Sequence, residues 1–138
     1  MDRPTQILVD TSVFIDHLRK KKKENTLLLR AIARFDRLFI SAVTVYEVEF
    51  GSEKQKRPSD IEPFLDDVVV IALDAELAKA VAALHAKLIS QNQDIGFRDA
   101  IIAASALRFQ LPVLTLNQAH FSRVSNLRLI DATALTQA

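Results

Sequence analysis

The sequence predicts an α/β fold, a three-layer α/β/α sandwich around a central, mostly parallel sheet. Three observations carry this. Short apolar runs recur at residues 7–9, 38–40 and 68–73, and Val113, Leu114 and Leu116 make a fourth, interrupted by Thr115. Segments with helical spacing separate them, and strands alternating with helices build parallel sheets covered on both faces. The run at 68–73 is also apolar at every position, as a strand buried on both faces should be.

Ile7, Leu8 and Val9 form the first strand and stop at Asp10-Thr11-Ser12, which offers helix N-cap chemistry. A helix follows through Leu18 and dissolves in Arg19-Lys20-Lys21-Lys22-Lys23. Residues 26–34 read as a second helix, and Leu38, Phe39 and Ile40 as a strand. Ser41 then caps a helix to about Phe50, with Gly51 just past its end. Residues 52–63, with two prolines and many charges, form the richest loop, and 61–67 are helical. Asp74 caps an alanine-rich helix to about Ser90, and 97–109 form a second apolar helix. Residues 112–116 and 127–130 supply the last strands.

Length fits a single domain over residues 1–138, with 49% hydrophobic and 25% charged residues. The chain has no cysteine, which excludes disulfides, cysteine zinc sites and thiol nucleophiles, and fits a reducing cytoplasm. Gly51 and Gly96 are its two glycines, too few for a glycine-rich phosphate loop. No apolar stretch reaches the roughly 20 residues of a membrane span, and no segment resembles a signal peptide. The expectation is a soluble cytoplasmic protein. Net charge is +1, so any nucleic-acid affinity must come from local clusters. The dense run from Arg19 to Lys23 is either a solvated helix end or a phosphate-contacting edge.

In parallel sheets the chemistry gathers beyond the carboxyl ends of the strands. Asp10 sits at such an end and also suits a cap. Glu47 lies beside the apolar stripe of Val43, Tyr46 and Phe50, where a carboxylate needs a compensating charge. Asp99 opens an otherwise apolar helix, where the dipole also favours an acid. Its neighbour Arg98 is placed to pair with another carboxylate. Asn117 follows the strand through Leu116, as a turn former or an oxygen ligand. Together these four oxygen-bearing side chains point to one rim. Oxygen donors without histidine or cysteine suit Mg2+ or Mn2+. Asp94 reads as a loop or cap residue, His120 as structural or surface-exposed, and His85 as incidental.

The ordered motifs resemble the PIN-domain family, VapC type. The opening Ile7-Leu8-Val9-Asp10-Thr11-Ser12 looks like the family's first motif, and residues 41–51, with Glu47 ahead of Gly51, like its second. Asp99-Ala100-Ile101-Ile102-Ala103-Ala104 resembles the third, and Leu114-Thr115-Leu116-Asn117 with Phe121 the fourth. The resemblance implies a PIN-like fold and a magnesium- or manganese-dependent endoribonuclease, the toxin of a type II toxin–antitoxin pair. It implies Asp10, Glu47 and Asp99 as acidic metal ligands, and Asn117 at a fourth position that is acidic in many members. Thr11, Ser12 and Thr115 match positions that orient those ligands. Implied too are products with 5′-phosphate and 3′-hydroxyl ends, a cognate antitoxin and a homodimer. Lys20, Lys21, Lys22 and Lys23 are candidates for guiding RNA. Phe14, Leu27, Leu28 and Leu29 supply either antitoxin-binding surface or core.

The alternative is a non-catalytic PIN-like module that binds RNA or protein. A phosphoacceptor receiver needs two acids near the first strand, where Asp10 stands alone. A haloacid-dehalogenase-type phosphatase needs an aspartate where Ser12 stands.

Overall fold

Alternate residues of the first strand serve two different cores. In the computed structural model, which describes residues 5–136, β1 (Gln6–Val9) lies inside a four-stranded sheet. Ile7 and Val9 join one buried cluster, while Leu8 joins another, because successive strand residues point to opposite faces. The first cluster takes in Val13 and Phe14 of α1 (Thr11–Arg19), Leu27, Leu28 and Ala31 of α2 (Leu27–Arg34), and Val48 of α3 (Ala42–Lys54). The second takes in α4 (Ala75–Ser90) and α5 (Phe97–Phe109). Helices on both faces of one sheet make the three-layer sandwich that the sequence predicts.

The sheet order is β3-β2-β1-β4, with β2 at Arg37–Ser41, β3 at Val68–Ile71 and β4 at Val113–Leu114. Every pairing is parallel. The chain builds outward from β1 through β2 to β3, then returns to the other side of β1 for β4. That reversal makes a crevice between the carboxyl ends of β1 and β4, where α/β sheets hold their ligands.

Local chemistry sets most helix starts. Ser41 Oγ accepts from Val43 N–H at 3.1 Å, and Asp74 Oδ1 accepts from Leu77 N–H at 2.8 Å. Leu77, Val81 and Leu88 form the buried stripe of α4, each contributing about 1.5–3 kcal/mol of burial. Residues 100–106 of α5 are all buried, as its apolar sequence requires.

Four expectations need correction. Gly51 does not end α3, which runs on to Lys54. Buried Ser52 ties that extra turn to the next loop, donating to Asp60 Oδ2 at 2.9 Å and accepting from Asp60 N–H at 3.0 Å. β3 is not buried on both faces: Val69 and Val70 are 39% and 41% exposed, because β3 is the edge strand. Residues 61–67 hold only a 3-10 turn at Glu62–Phe64. Instead of a strand at 127–130, a single parallel bridge joins Leu129 to Val113. The short helices α6 (Gln118–Phe121) and α7 (Ala132–Thr136) flank this last segment. No helix among the described residues is long and apolar enough to cross a membrane.

Candidate active site

The crevice at the carboxyl ends of β1 and β4 opens into a cleft of about 430 Å3, lined by Asp10, Glu47, Asp99 and Asn117. These residues come from four separate stretches of chain. α1 starts directly after Asp10, yet the Asp10 side chain makes no cap bond. It turns instead to two hydroxyls. Ser12 Oγ donates to Asp10 Oδ2 at 2.7 Å, and Thr115 Oγ1 donates to the same oxygen at 2.8 Å. Each hydroxyl also accepts from a backbone amide beyond β4, Ser12 from Leu116 N–H at 3.0 Å and Thr115 from Asn117 N–H at 2.9 Å. The clamp fixes both the carboxylate and the strand end beside it. Only 3% of Asp10 is exposed. Burial pushes its carboxyl above the usual range, the Asp99 charge adds to that, and the two hydroxyls oppose it.

Glu47 projects from α3 and is held by a proton chain. Thr11 Oγ1 donates to Glu47 Oε1 at 2.9 Å and lies 2.8 Å from Thr44 Oγ1, which is left to donate to it. Arg98 donates to Glu47 Oε2 at 3.2 Å across the cleft. The stripe expected around Glu47 is not one face. Tyr46 and Phe50 are 59% and 52% exposed and stack on each other at 5.8 Å, while Val43 packs on the core. Glu47 therefore sits at the margin of the packed face, half-buried, with solvent access.

Asp99 occupies the first turn of α5. His120 Nδ1 lies 2.9 Å from Asp99 Oδ2 and 2.9 Å from the Asn117 side-chain amide. One ring nitrogen carries one proton. Protonated, Nδ1 donates to the Asp99 carboxylate; unprotonated, it accepts from the Asn117 side-chain N–H, which leaves the Asn117 oxygen to the cleft. His120 is thus a part-exposed residue in a structural role, as the sequence suggests, and that role is to hold Asp99. The sequence signal was its spacing, three residues after Asn117 on α6, which returns the ring to the cleft.

Among the described residues, no group of three His, Cys, Asp or Glu side chains is gathered tightly enough to chelate one ion. Asp99 is turned to His120 and Glu47 to Arg98, which is itself 60% exposed. Binding one ion would require both acids to turn from these partners toward Asp10. The donors are hard oxygens around a buried carboxylate already disfavoured by its surroundings, and they fit Mg2+ or Mn2+ better than zinc.

The lysine run lies elsewhere and divides. Lys23 Nζ donates to the carbonyls of His17 and Leu18 at 3.1 and 2.9 Å and also to that of Lys20, closing the end of α1. Lys20 and Lys22 line a separate cavity of about 530 Å3. Lys21 lines neither that cavity nor the acidic cleft. Phe14, Leu27 and Leu28 are core residues, and Leu29 is half-buried. Asp94 accepts from Gly96 N–H at 2.8 Å and pairs with His85 at 2.9 Å, shaping the loop before α5.

A sheet switch point with three acids and an asparagine in one cleft is the arrangement of a PIN domain, and that family's model matches residues 7–127. The chain belongs to the PIN-domain family. Curated relatives of the chain include VapC proteins. The tRNA(fMet)-specific endonuclease VapC of Shigella flexneri is 30% identical over 130 residues, covering 91% of this chain and 97% of the relative. The protein of the same name from Salmonella typhimurium is 28% identical over 120 residues, covering 84% of each. Among solved structures, DNA-bound VapBC from Salmonella typhimurium superposes with a TM-score of 0.79 at 26% identity, over 92% of this chain and 98% of the other.

Proposed function

We propose that the chain is a magnesium- or manganese-dependent endoribonuclease, the toxin of a toxin–antitoxin pair. One observation carries the reading: three carboxylates and an asparagine from four chain segments line a single open cleft at the switch point of the sheet. The VapC relatives are named ribonucleases and endonucleases, and the match extends over nearly the whole chain.

Asp10, Glu47 and Asp99, with the Asn117 oxygen, would hold the divalent ion. When bound, that ion lowers the pKa of a water and neutralises charge developing on the phosphate. The protein supplies positioning. Ser12 and Thr115 keep Asp10 in one orientation, while Thr11 and His120 hold Glu47 and Asp99 at the cleft wall, from which those two acids would turn toward the ion. No side chain needs to form a covalent intermediate. RNA presents its scissile bond to this rim most readily where the strand is unpaired and can bend. The reading carries with it an antitoxin partner, a homodimer and a cytoplasmic setting.

The test is cleavage of structured RNA by wild type and Asp99→Asn with Mg2+ or Mn2+ present. Wild type yields 5′-phosphate ends, and the variant loses at least about 100-fold in rate, as expected where a bound metal is required. Undiminished cleavage by Asp99→Asn removes Asp99 from the machinery. The pairing of Arg98 with Glu47 and of His120 with Asp99 favours one alternative, a module that binds RNA without cutting it. Metal-insensitive RNA binding with no cleavage by wild type selects that alternative.

A further inference from the structure

The acidic cleft does not end at Ser12. That residue also lines a shallow hollow of about 400 Å3, together with Arg19, Lys20 and Leu116. Lys20 and Leu116 in turn line the larger cavity of about 530 Å3, whose walls add Lys22 and Arg30. Three hollows sharing wall residues form one furrow, from Asp10 past Leu116 to the start of α2.

We propose that this furrow holds the phosphate backbone of single-stranded RNA flanking the bond cleaved at Asp10, Glu47 and Asp99. The proposal rests on the nuclease reading and names where its substrate lies.

Charge is the first argument. Arg19, Lys20, Lys22 and Arg30 face two carboxylates, Asp16 and Glu24, and Asp16 already has Lys20 at 3.6 Å. The furrow is therefore cationic, whereas the cleft at its end carries three acids. A polyanion is repelled by that cleft and needs a cationic hold beside it. The furrow meets the cleft at Ser12 and provides one.

Preorganisation is the second. Arg30 Nε donates to the Asn25 carbonyl at 3.1 Å and Nη1 to the Leu135 carbonyl at 2.8 Å, so its guanidinium is anchored in the wall. A fixed guanidinium loses little freedom when a phosphate arrives. Leu116 is 50% exposed at the junction, where it offers apolar surface to a sugar or base while its own backbone N–H is held by Ser12.

The geometry also separates residues that look alike in sequence. Lys22 and Lys20 belong to the furrow, Lys23 is spent on the end of α1, and Lys21 lines neither hollow.

The experiment measures binding of a fluorescein-labelled, unstructured oligoribonucleotide to the full chain in EDTA, across a salt series. Each lost phosphate contact removes about 0.7 from the slope of log affinity against log salt for a single strand. Arg19→Ala/Lys22→Ala should lower that slope by about 1.4 and weaken binding at low salt by roughly tenfold. Lys21→Ala should bind like wild type. A photo-crosslinker placed through Leu116→Cys, in a chain with no other cysteine, should mark the RNA, and one at Val69→Cys should not. Equal losses for Lys21→Ala and Lys22→Ala, an unaltered slope in the double variant, no measurable binding by wild type, or equal crosslinking at both positions overturns the proposal. Because no metal is present, these outcomes are independent of cleavage. Wild type that cuts RNA with an unaltered slope in the double variant loses the furrow alone. Wild type that never cuts, but shows the slope change, loses the nuclease reading alone.

Discussion

Thr115→Val removes a single oxygen from a residue that is fully buried. That oxygen donates to the Asp10 carboxylate at 2.8 Å and accepts from Asn117 N–H at 2.9 Å. A hydrogen bond to a charged group contributes about 1.5–3 kcal/mol, and a neutral one about 0.5–1.5 kcal/mol. The added methyl returns about 0.8 kcal/mol of apolar burial. The net loss in the metal-free protein is on the order of 2 kcal/mol, a fall in Tm of about 6–10 °C for a domain of this size. The loss depends on pH with a definite sign. Asp10 already titrates above its ordinary 3.8 because it is buried, and losing one of its two hydroxyl donors raises it further. The missing bond matters while Asp10 is ionised, so the gap between variant and wild type narrows as pH falls toward the carboxylate range. Thr115→Ser keeps the hydroxyl and loses a methyl, about 1 kcal/mol. Urea or thermal unfolding at pH 8 and pH 5 measures these differences, and cleavage assays follow them. A Thr115→Val loss below about 0.5 kcal/mol at pH 8, or one that grows toward pH 5, refutes the clamp.

Magnesium or manganese at about 100 times its Kd should stabilise wild type by about 2.7 kcal/mol and Asp10→Asn by far less, read as Tm with and without EDTA. His120→Ala should lower the rate by about 10–100-fold by releasing Asp99, and His120→Gln, which keeps a donor, should retain more of it. Equal losses in the two variants refute a positioning role. Buried His17 is held below its ordinary 6.5, mainly by burial and then by the Lys23 charge, with Asp16 opposing. Its contribution is present above pH 6.5 and lost as pH falls through the lowered folded value. His17→Gln should therefore flatten the fall in Tm between pH 7 and pH 5. Lys23→Ala should cost about 1 kcal/mol of stability from the frayed end of α1 and leave RNA binding unchanged.

What the sequence determined by itself is local in origin. The strand at 7–9 follows from three apolar residues in a row, and its two-faced burial follows from the pleat. Ser41 and Asp74 cap their helices because the caps act within three residues. Asp10, Glu47 and Asp99 were legible as acids at strand ends or beside packed faces, where charge is costly. Tertiary structure decided everything that rests on partners far away in the chain. Thr115 reaches Asp10 across 105 positions, Thr11 reaches Glu47 across 36, and His120 reaches Asp99 across 21. No period or propensity encodes those meetings; strand order does. The same holds for β3, whose apolar run is indistinguishable from a central strand until the sheet order puts it at the edge. It holds again for the lysines, which share one charge in sequence and are given different work by where α1 ends. Side-chain chemistry fixes what each residue is able to do, and the packing of distant segments fixes which residues do it together.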